Sequence, residues 1–292
     1  MDNFPKVSII TINYNQSNLT IDLINSIKDC RYKNVEIIVV DNASKEDISI
    51  LQTRQDIMLI KSKKNLGFAG GNNVGIKQAT GEFLFFVNND TIFTQNLIHK
   101  LVNLLQANPD VGIVSPKIIY YHSPNYIQYA GMTTINKYTG RNRTIGKNNL
   151  VNKSYYSGYT AYAHGAAMMV PKKILSKIGL MPENYFLYYE ELDWCETIKK
   201  NGFKVYFLSE AEIFHKESKS IGKNSDIKEY YLFKNRIIFM RRNFPGLKLY
   251  MFFMYISLLV LPVYIINNIR KKQFKHTKSI VFGYWNGLNA KI

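Results

Sequence analysis

Glu82 to Asp90 reads EFLFFVNND. Phe83 to Val87 is apolar without interruption and offers no face to water. A run of that length between Gly81 and a polar triplet predicts a strand buried on both sides, at the centre of a sheet. It ends abruptly on Asn88-Asn89-Asp90. Working outward, similar β-branched runs occur at Val7–Ile12 (VSIITI), Val35–Val40 (VEIIVV), Ile57–Ile60 (IMLI) and Val111–Ser115 (VGIVS). Between them lie stretches with helical spacing. Leu19, Leu23, Ile24 and Ile27 share one face within Asn15–Lys28, and Leu97–Gln106 is amphipathic and stops near Pro109. Strand and helix alternating at this interval predict βαβ units and an α/β fold with a mostly parallel central sheet flanked by helices. Such sheets bind ligands at the carboxyl ends of their strands. Three strands here end in polar groups, after Ile12, Val40 and Val87.

Asn65–Gly75 is rich in glycine and asparagine and reads as a turn, with helix from Val74 to Ala79. Ile118–Tyr162 reads as loops with short strands. Periodicity returns with a strand at Ala166–Val170, helices at Lys172–Ile178 and Leu192–Asn201, and a strand at Val205–Leu208.

The chain has 292 residues, 46% hydrophobic and 20% charged, which excludes a disordered or collagen-like polymer. Its two cysteines, Cys30 and Cys195, fit a reducing compartment and no metal spacing. A net charge of +17 favours anionic partners. Much of that excess is C-terminal, because no acidic residue follows Glu229. Within the basic region lies Leu249–Asn268, LYMFFMYISLLVLPVYIINN, which is roughly one bilayer core in length as a helix. Basic clusters on both flanks, with Pro262 inside, fit a re-entrant or interfacial membrane segment, the alternative being a core helix with basic ends. Nucleic acid is not an expected partner, since the basic residues are not interleaved with aromatics along an extended face. No secretory signal stands in the opening MDNFPKVSII, so the catalytic part is expected in the cytoplasm.

Common nucleotide and hydrolase motifs are missing. There is no G-x-x-x-x-G-K-[ST], no G-x-S-x-G, and Gly67–Gly75 lacks G-x-G-x-x-G spacing. Other residues carry candidate chemistry. Asp41, closing a strand, suits a base N–H or a ribose hydroxyl, or equally a helix N-cap. Asn65, Gly67, Gly70 and Gly71 would let backbone approach a ligand, or simply make a turn. Asp90, with Asn88, offers oxygen ligands to a hard divalent cation bridging to a diphosphate. Glu190, Glu191 and Asp193 cluster behind the aromatic run YFLYY. Like-charge proximity and partial burial would raise one pKa, as a general base requires, whereas acids at a helix N-terminus are also favoured by its dipole. His215 closes AEIFH and could complete a metal site or stand as an ordinary half-buried histidine.

Together these residues resemble the family 2 glycosyltransferases of the GT-A fold, especially bacterial rhamnosyltransferase-like members. The resemblance runs from VSIITINYN at Val7 to about Asn243 and rests on VVDNAS (Val39–Ser44), NLGFAGGNNVG (Asn65–Gly75), FVNND (Phe86–Asp90), HGAAMMV (His164–Val170) and YYEELDWC (Tyr188–Cys195), in the family's order. It implies a GT-A catalytic domain over 1–240, with a nucleotide-sugar half at 1–115 and an acceptor half at 116–240, followed by a membrane-associating segment at 241–292. It implies donor contacts at Thr11, Asn13, Asn15, Asp41, Asn65, Gly67 and Asn89, and a divalent Mn2+ or Mg2+ held by Asp90, Asn88 and His215. Glu191 matches the catalytic base, and His164, Gly165, Glu190, Asp193 and Trp194 fall on the acceptor side. The family's first metal-site aspartate is Asn88 here, a lost charge that should weaken metal affinity. The implied activity is inverting transfer of a sugar, rhamnose from dTDP-rhamnose or a hexose from a UDP-sugar, to a glycan or lipid-linked acceptor at the cytoplasmic face of the cell membrane. The competing readings are a GT-A-fold binding protein without catalysis and a nucleotidyltransferase.

Overall fold

The computed structural model describes residues 4–217 and 226–292. The N-terminal half supplies β1 (Val7–Asn13), β2 (Val35–Asp41), β3 (Met58–Lys61) and β4 (Phe83–Val87), parallel and ordered β3-β2-β1-β4. Every residue of β4 is buried, as its unbroken apolar run requires. Parallel register sets Asn13 beside Asp41 and Ile10 beside Phe86, so these strands deliver their polar ends to one edge of the sheet.

Beyond β4 the sheet becomes mixed. β9 (Ala167–Pro171) lies antiparallel between β4 and β6 (Val111–Tyr120). β10 (Lys204–His215) then runs parallel to β6, and β5 (Thr91–Phe93) closes the edge antiparallel to β10. The short β7 (Ile127–Tyr129) and β8 (Gly158–Tyr159) pair with β6 and β10 and are the strands of the loop-rich middle.

Side chains alternate between two cores. Val7, Ile9, Phe83 and Phe85 face one core, with α1 (Ser17–Asp29) and α4 (Leu97–Ala107) covering it. Ile10, Leu84 and Phe86 face the other, covered by α3 (Gly67–Gln78), α6 (Glu190–Lys200) and α7 (Asp226–Asn243). The single-turn α2 (Ser49–Gln52) and α5 (Leu175–Ile178) complete the connections. α3 begins at Gly67, within the stretch expected to be a turn. Its glycines are packing devices, because a Cβ on Gly71 would come within 2.8 Å of Ile12 Cδ1 and one on Gly75 within 2.5 Å of Ile10 Cγ2. Only a side chain of hydrogen lets this helix sit so close to β1.

After α7 the chain forms α8 (Leu247–Tyr255), one π-turn over Ile256–Val260, α9 (Leu261–Arg270) and α10 (Phe274–Asn289). The π-turn lies just ahead of Pro262, whose ring and missing N–H disrupt the regular ladder. α10 packs along α7 in the same direction, with Gly283 against the Tyr230 carbonyl and Gly287 against that of Lys234. The Arg241 guanidinium donates to the carbonyls of Gly287 (2.8 Å) and Ala290 (2.9 Å), closing the C-terminal end of α10. The boundary expected near 240 falls inside α7, and that near 115 inside β6. Phe252, Ile256, Val260 and Ile280 share the core of α6 and α7, so 241–292 is built into the same body.

Candidate active site

The strand ends and the N-termini of α3 and α6 enclose a cleft of about 1140 Å³, somewhat larger than a typical small-molecule pocket. At one end Asn42 ties the end of β2 to the segment Asn65–Gly67. Its amide donates to Asn65 Oδ1 (3.0 Å) and to the Gly67 carbonyl (3.0 Å), and its oxygen accepts from Leu66 N–H (2.9 Å). Asn42, Asn65 and Gly67 all line the cleft. Gly67 has φ +72°, and a Cβ there would run into the Phe186 carbonyl oxygen.

Thr11, Asn13 and Asp41 lie behind this wall. Asp41 is only 3% exposed; its carboxylate accepts from Asn13 Nδ2 (2.9 Å) and Ser44 N–H (3.2 Å). Asn13 Oδ1 accepts from Thr20 (2.8 Å), and Thr11 is fully buried. Asn15 is exposed and accepts from Lys45 N–H. Asn89 reaches the cleft with its amide tied to Thr20 (3.1 Å). Of the expected donor residues, then, Asn65, Gly67 and Asn89 face the cleft, while Asp41 and Asn13 brace it.

At the centre, the antiparallel register of β10 on β5 sets His215 opposite Thr91 and so beside Asp90. His215 Nε2 lies 3.0 Å from Asp90 Oδ1 and 3.5 Å from Asn88 Nδ2. Its Nδ1 is 2.8 Å from Gln128 Oε1. A glutamine oxygen can only accept, so the proton sits on Nδ1 and, in the neutral ring, Nε2 turns its lone pair toward the Asp90 carboxylate. Two acceptors face to face at that distance call for a proton or a cation between them. Half a turn of the Asn88 amide would present its oxygen to the same point. An imidazole, a carboxylate and an amide oxygen form a donor set that fits a divalent ion, with Gln128 orienting the imidazole. Among the described residues no three His, Cys, Asp or Glu side chains gather at one point, in keeping with asparagine at 88.

Across the cleft, Tyr185–Tyr189 carries a backbone that favours glycine but has none. Phe186, Tyr188 and Tyr189 have φ of +67°, +69° and +78°. Left-handed bulky residues cost on the order of 1–3 kcal/mol each and persist only where their surroundings enforce them. Asn235 of α7, 0% exposed, does so: its amide nitrogen lies 3.0, 2.7 and 2.9 Å from the carbonyl oxygens of Tyr185, Leu187 and Tyr188. Phe186 O accepts from Phe68 N–H (2.7 Å) at the start of α3. The segment thus locks the start of α3 to the start of α6.

α6 follows at once, and its first turn separates the acids. Glu191 lines the cleft, half-buried, beside Gly165. Burial pushes its carboxyl up to about 7. Glu190 points inward, and burial, then the neighbouring Glu191 charge, push its carboxyl well up as well. Asp193 accepts from Arg242 Nε (2.7 Å) and Asn243 Nδ2 (2.6 Å), tying α6 to α7. Trp194 is 0% exposed, edge-on to Phe86 at 5.6 Å, and donates to the Gly179 carbonyl. The expected acceptor-side set is therefore corrected. Positions 190, 193 and 194 share one helical face directed into the protein, by the i, i+3, i+4 rule, and 191 lies on another. His164 does line the cleft; burial above all pushes it down to about 3, so it is neutral. Its Nδ1 accepts from Ala166 N–H (3.1 Å), which leaves its proton on Nε2.

Four contributors were not legible in the sequence: Asn42, Gln128 and Asn235, which look like any buried amide, and α10, which lends Lys278 and Phe282 to the far wall of the cleft. Only the proximity of Asn42 to Asp41 hinted at the first.

A parallel half that offers its strand ends to a cleft, joined to a mixed half that returns a histidine to the same point, is the GT-A transferase architecture. Two solved structures share it: GalNAc-T7 with UDP, GalNAc and Mn2+ (TM-score 0.66, 13% identity, 82% of this chain and 48% of that one), and the mannosyltransferase PcManGT of Pyrobaculum calidifontis with GDP-Man and Mn2+ (TM-score 0.60, 14% identity, 98% and 88%). The profile of glycosyl transferase family 2 matches residues 8–178, more than half of the chain, and the chain belongs to that family. It is a glycosyltransferase. Among its relatives is the low-salt glycan biosynthesis hexosyltransferase Agl10 of Haloferax volcanii, 24% identical over 294 residues, covering 98% of this chain and 92% of that protein.

Proposed function

We propose that this chain is an inverting transferase that moves a sugar from a nucleotide diphosphate to an acceptor hydroxyl. The observation that carries the reading is the placement of Glu191, a carboxyl held up near neutrality, in the same cleft as the Asp90–His215 pair. Asp90, His215 and the Asn88 oxygen would hold Mn2+ or Mg2+. When bound, such an ion supplies charge to neutralise the departing diphosphate. The Mn2+ found in both solved neighbours, with UDP and GalNAc in one and GDP-Man in the other, supports this choice.

The chain's own residues do the rest. The Asn42–Asn65–Gly67 wall receives the donor at the strand ends. Glu191 takes the acceptor proton while the acceptor oxygen bonds to the anomeric carbon from the opposite face. The bond from that carbon to the diphosphate oxygen breaks, and the proton later leaves Glu191 for water. His164 presents an N–H rather than a charge to the reacting region.

By sequence resemblance the donor is dTDP-rhamnose, with UDP-hexoses second. The acceptor is a glycan or lipid-linked saccharide of cell-surface polysaccharide synthesis, handled at the cytoplasmic face of the membrane. The basic, apolar C-terminus and the glycan-biosynthesis relative support that setting. Glu191→Gln is expected to cut transfer by about 10²–10⁴-fold and leave nucleotide affinity, read by calorimetry, unchanged. A variant that turns over at the wild-type rate would remove Glu191 from this role.

A further inference from the structure

We propose that Leu247–Arg270 lies in the plane of an anionic bilayer and does not cross it, so that the cleft opens at the lipid surface. The inference rests on the membrane setting above but not on the catalytic assignment.

The 24 residues from Leu247 to Arg270 form one apolar stretch of helix, about 36 Å long at helical rise. Its inner face is fastened at several points. Phe252, Ile256 and Val260 lie in the protein core. The Ser257 and Tyr284 hydroxyls are 2.7 Å apart, and the Tyr264 ring meets Phe233 edge-on at 5.2 Å. Its two ends lead to α7 and α10, which run side by side. A helix that crossed a bilayer could not keep these contacts, and its ends would lie on opposite sides. The core-helix reading fails too, since only 17% of its most apolar window is buried. The outer face presents Tyr250, Met254, Leu258, Leu259, Val263 and Ile266 to the surroundings, with Leu258 66% exposed. An apolar strip of this length on a protein surface marks an interaction site.

Charge selects the occupant. Exposed Arg270, Lys271, Lys272 and Lys275 follow the strip directly, and no acid occurs after Glu229. Two copies of such a face would repel one another, whereas anionic headgroups would be attracted. Exposed Phe274 and Trp285 of α10 continue the strip, and amphipathic aromatics of this kind favour the interfacial depth. On the same helix Phe282, 50% exposed, lines the cleft. The lipid face and the cleft mouth are therefore adjacent faces of α10, and an amphiphilic acceptor could reach Glu191 without leaving the membrane.

Vesicles with and without phosphatidylglycerol, mixed with the full chain, provide the test. Of the two tryptophans Trp194 is buried, so quenching by lipids brominated near the headgroup reports Trp285. The expected results are binding only to the anionic vesicles, quenching of Trp285, and labelling of both Lys248→Cys and Lys272→Cys by an impermeant maleimide added outside. The native cysteines are buried and silent. Leu258→Glu with Val263→Glu, both at exposed positions, should weaken vesicle binding by about tenfold or more without moving the melting temperature. Protection of one flank cysteine would show a spanning helix and overturn the proposal. So would equal binding by the double variant, no binding to anionic vesicles, or a soluble dimer that the double variant dissociates. None of these outcomes bears on Glu191, so catalytic failure remains separable.

Discussion

Glu190 and Glu191 are neighbours in the chain with opposite surroundings, and the helical repeat is the cause. Glu191 reaches the cleft and is pushed up by burial to about 7. As a base it must be ionised, so transfer should fall as pH drops below about 7, and this limb of the kcat/KM profile should be lost in Glu191→Gln. Glu190 binds a proton more tightly folded than unfolded, so its contribution to stability is present at low pH and lost as pH rises above the unfolded value of about 4.3. Glu190→Gln should therefore raise the melting temperature more at pH 8 than at pH 5; an equal effect at both would contradict the buried placement. Gln128 has a different task, fixing the His215 tautomer. Gln128→Leu should lower Mn2+ affinity by about 10–100-fold, as calorimetry would show. That Asp90, His215 and Glu191 are candidates for one site was legible because each lies near the end of a strand or the start of a helix in a patterned stretch, and all three line the cleft. Gln128 was not, since a buried amide carries no periodic signal.

Among the elements, the strained run from Phe186 to Tyr189 decides where α6 starts. The Asn235 amide shares its two N–H donors among the carbonyls of Tyr185, Leu187 and Tyr188. Asn235→Ala leaves them without that donor inside the protein, and about 3 kcal/mol of stability should be lost, measurable by urea denaturation. A cost below about 1 kcal/mol would mean that the segment holds itself. The sequence announced α1 and α4 plainly, by apolar spacing. It misdirected at α3, because glycine composition suggests a turn while close packing on β1 selects glycine inside a helix. The motif that contains Asp193 and Trp194 points both toward the acceptor side, whereas helix period buries both.

At the scale of the molecule, apolar runs located the strands but could not orient them. β4 and β9 are equally buried, and only their long-range pairing makes one antiparallel to the other. The length and charge of 241–292 lead to the expectation of a membrane-seeking segment, whereas its return along α7 depends on Gly283 and Gly287 meeting backbone carbonyls, a fit with no sequence signature. The cleft gathers residues from both halves of the chain and from that last helix. Calorimetric titration of dTDP, UDP and GDP with Mn2+ into the wild type, Asp90→Ala and Glu191→Gln examines this gathering most directly. The wild type and Glu191→Gln should bind one of these nucleotides alike, and Asp90→Ala should bind it at least about tenfold more weakly. Absence of binding to all three, or binding indifferent to Asp90, would contradict a sugar-nucleotide site in this cleft.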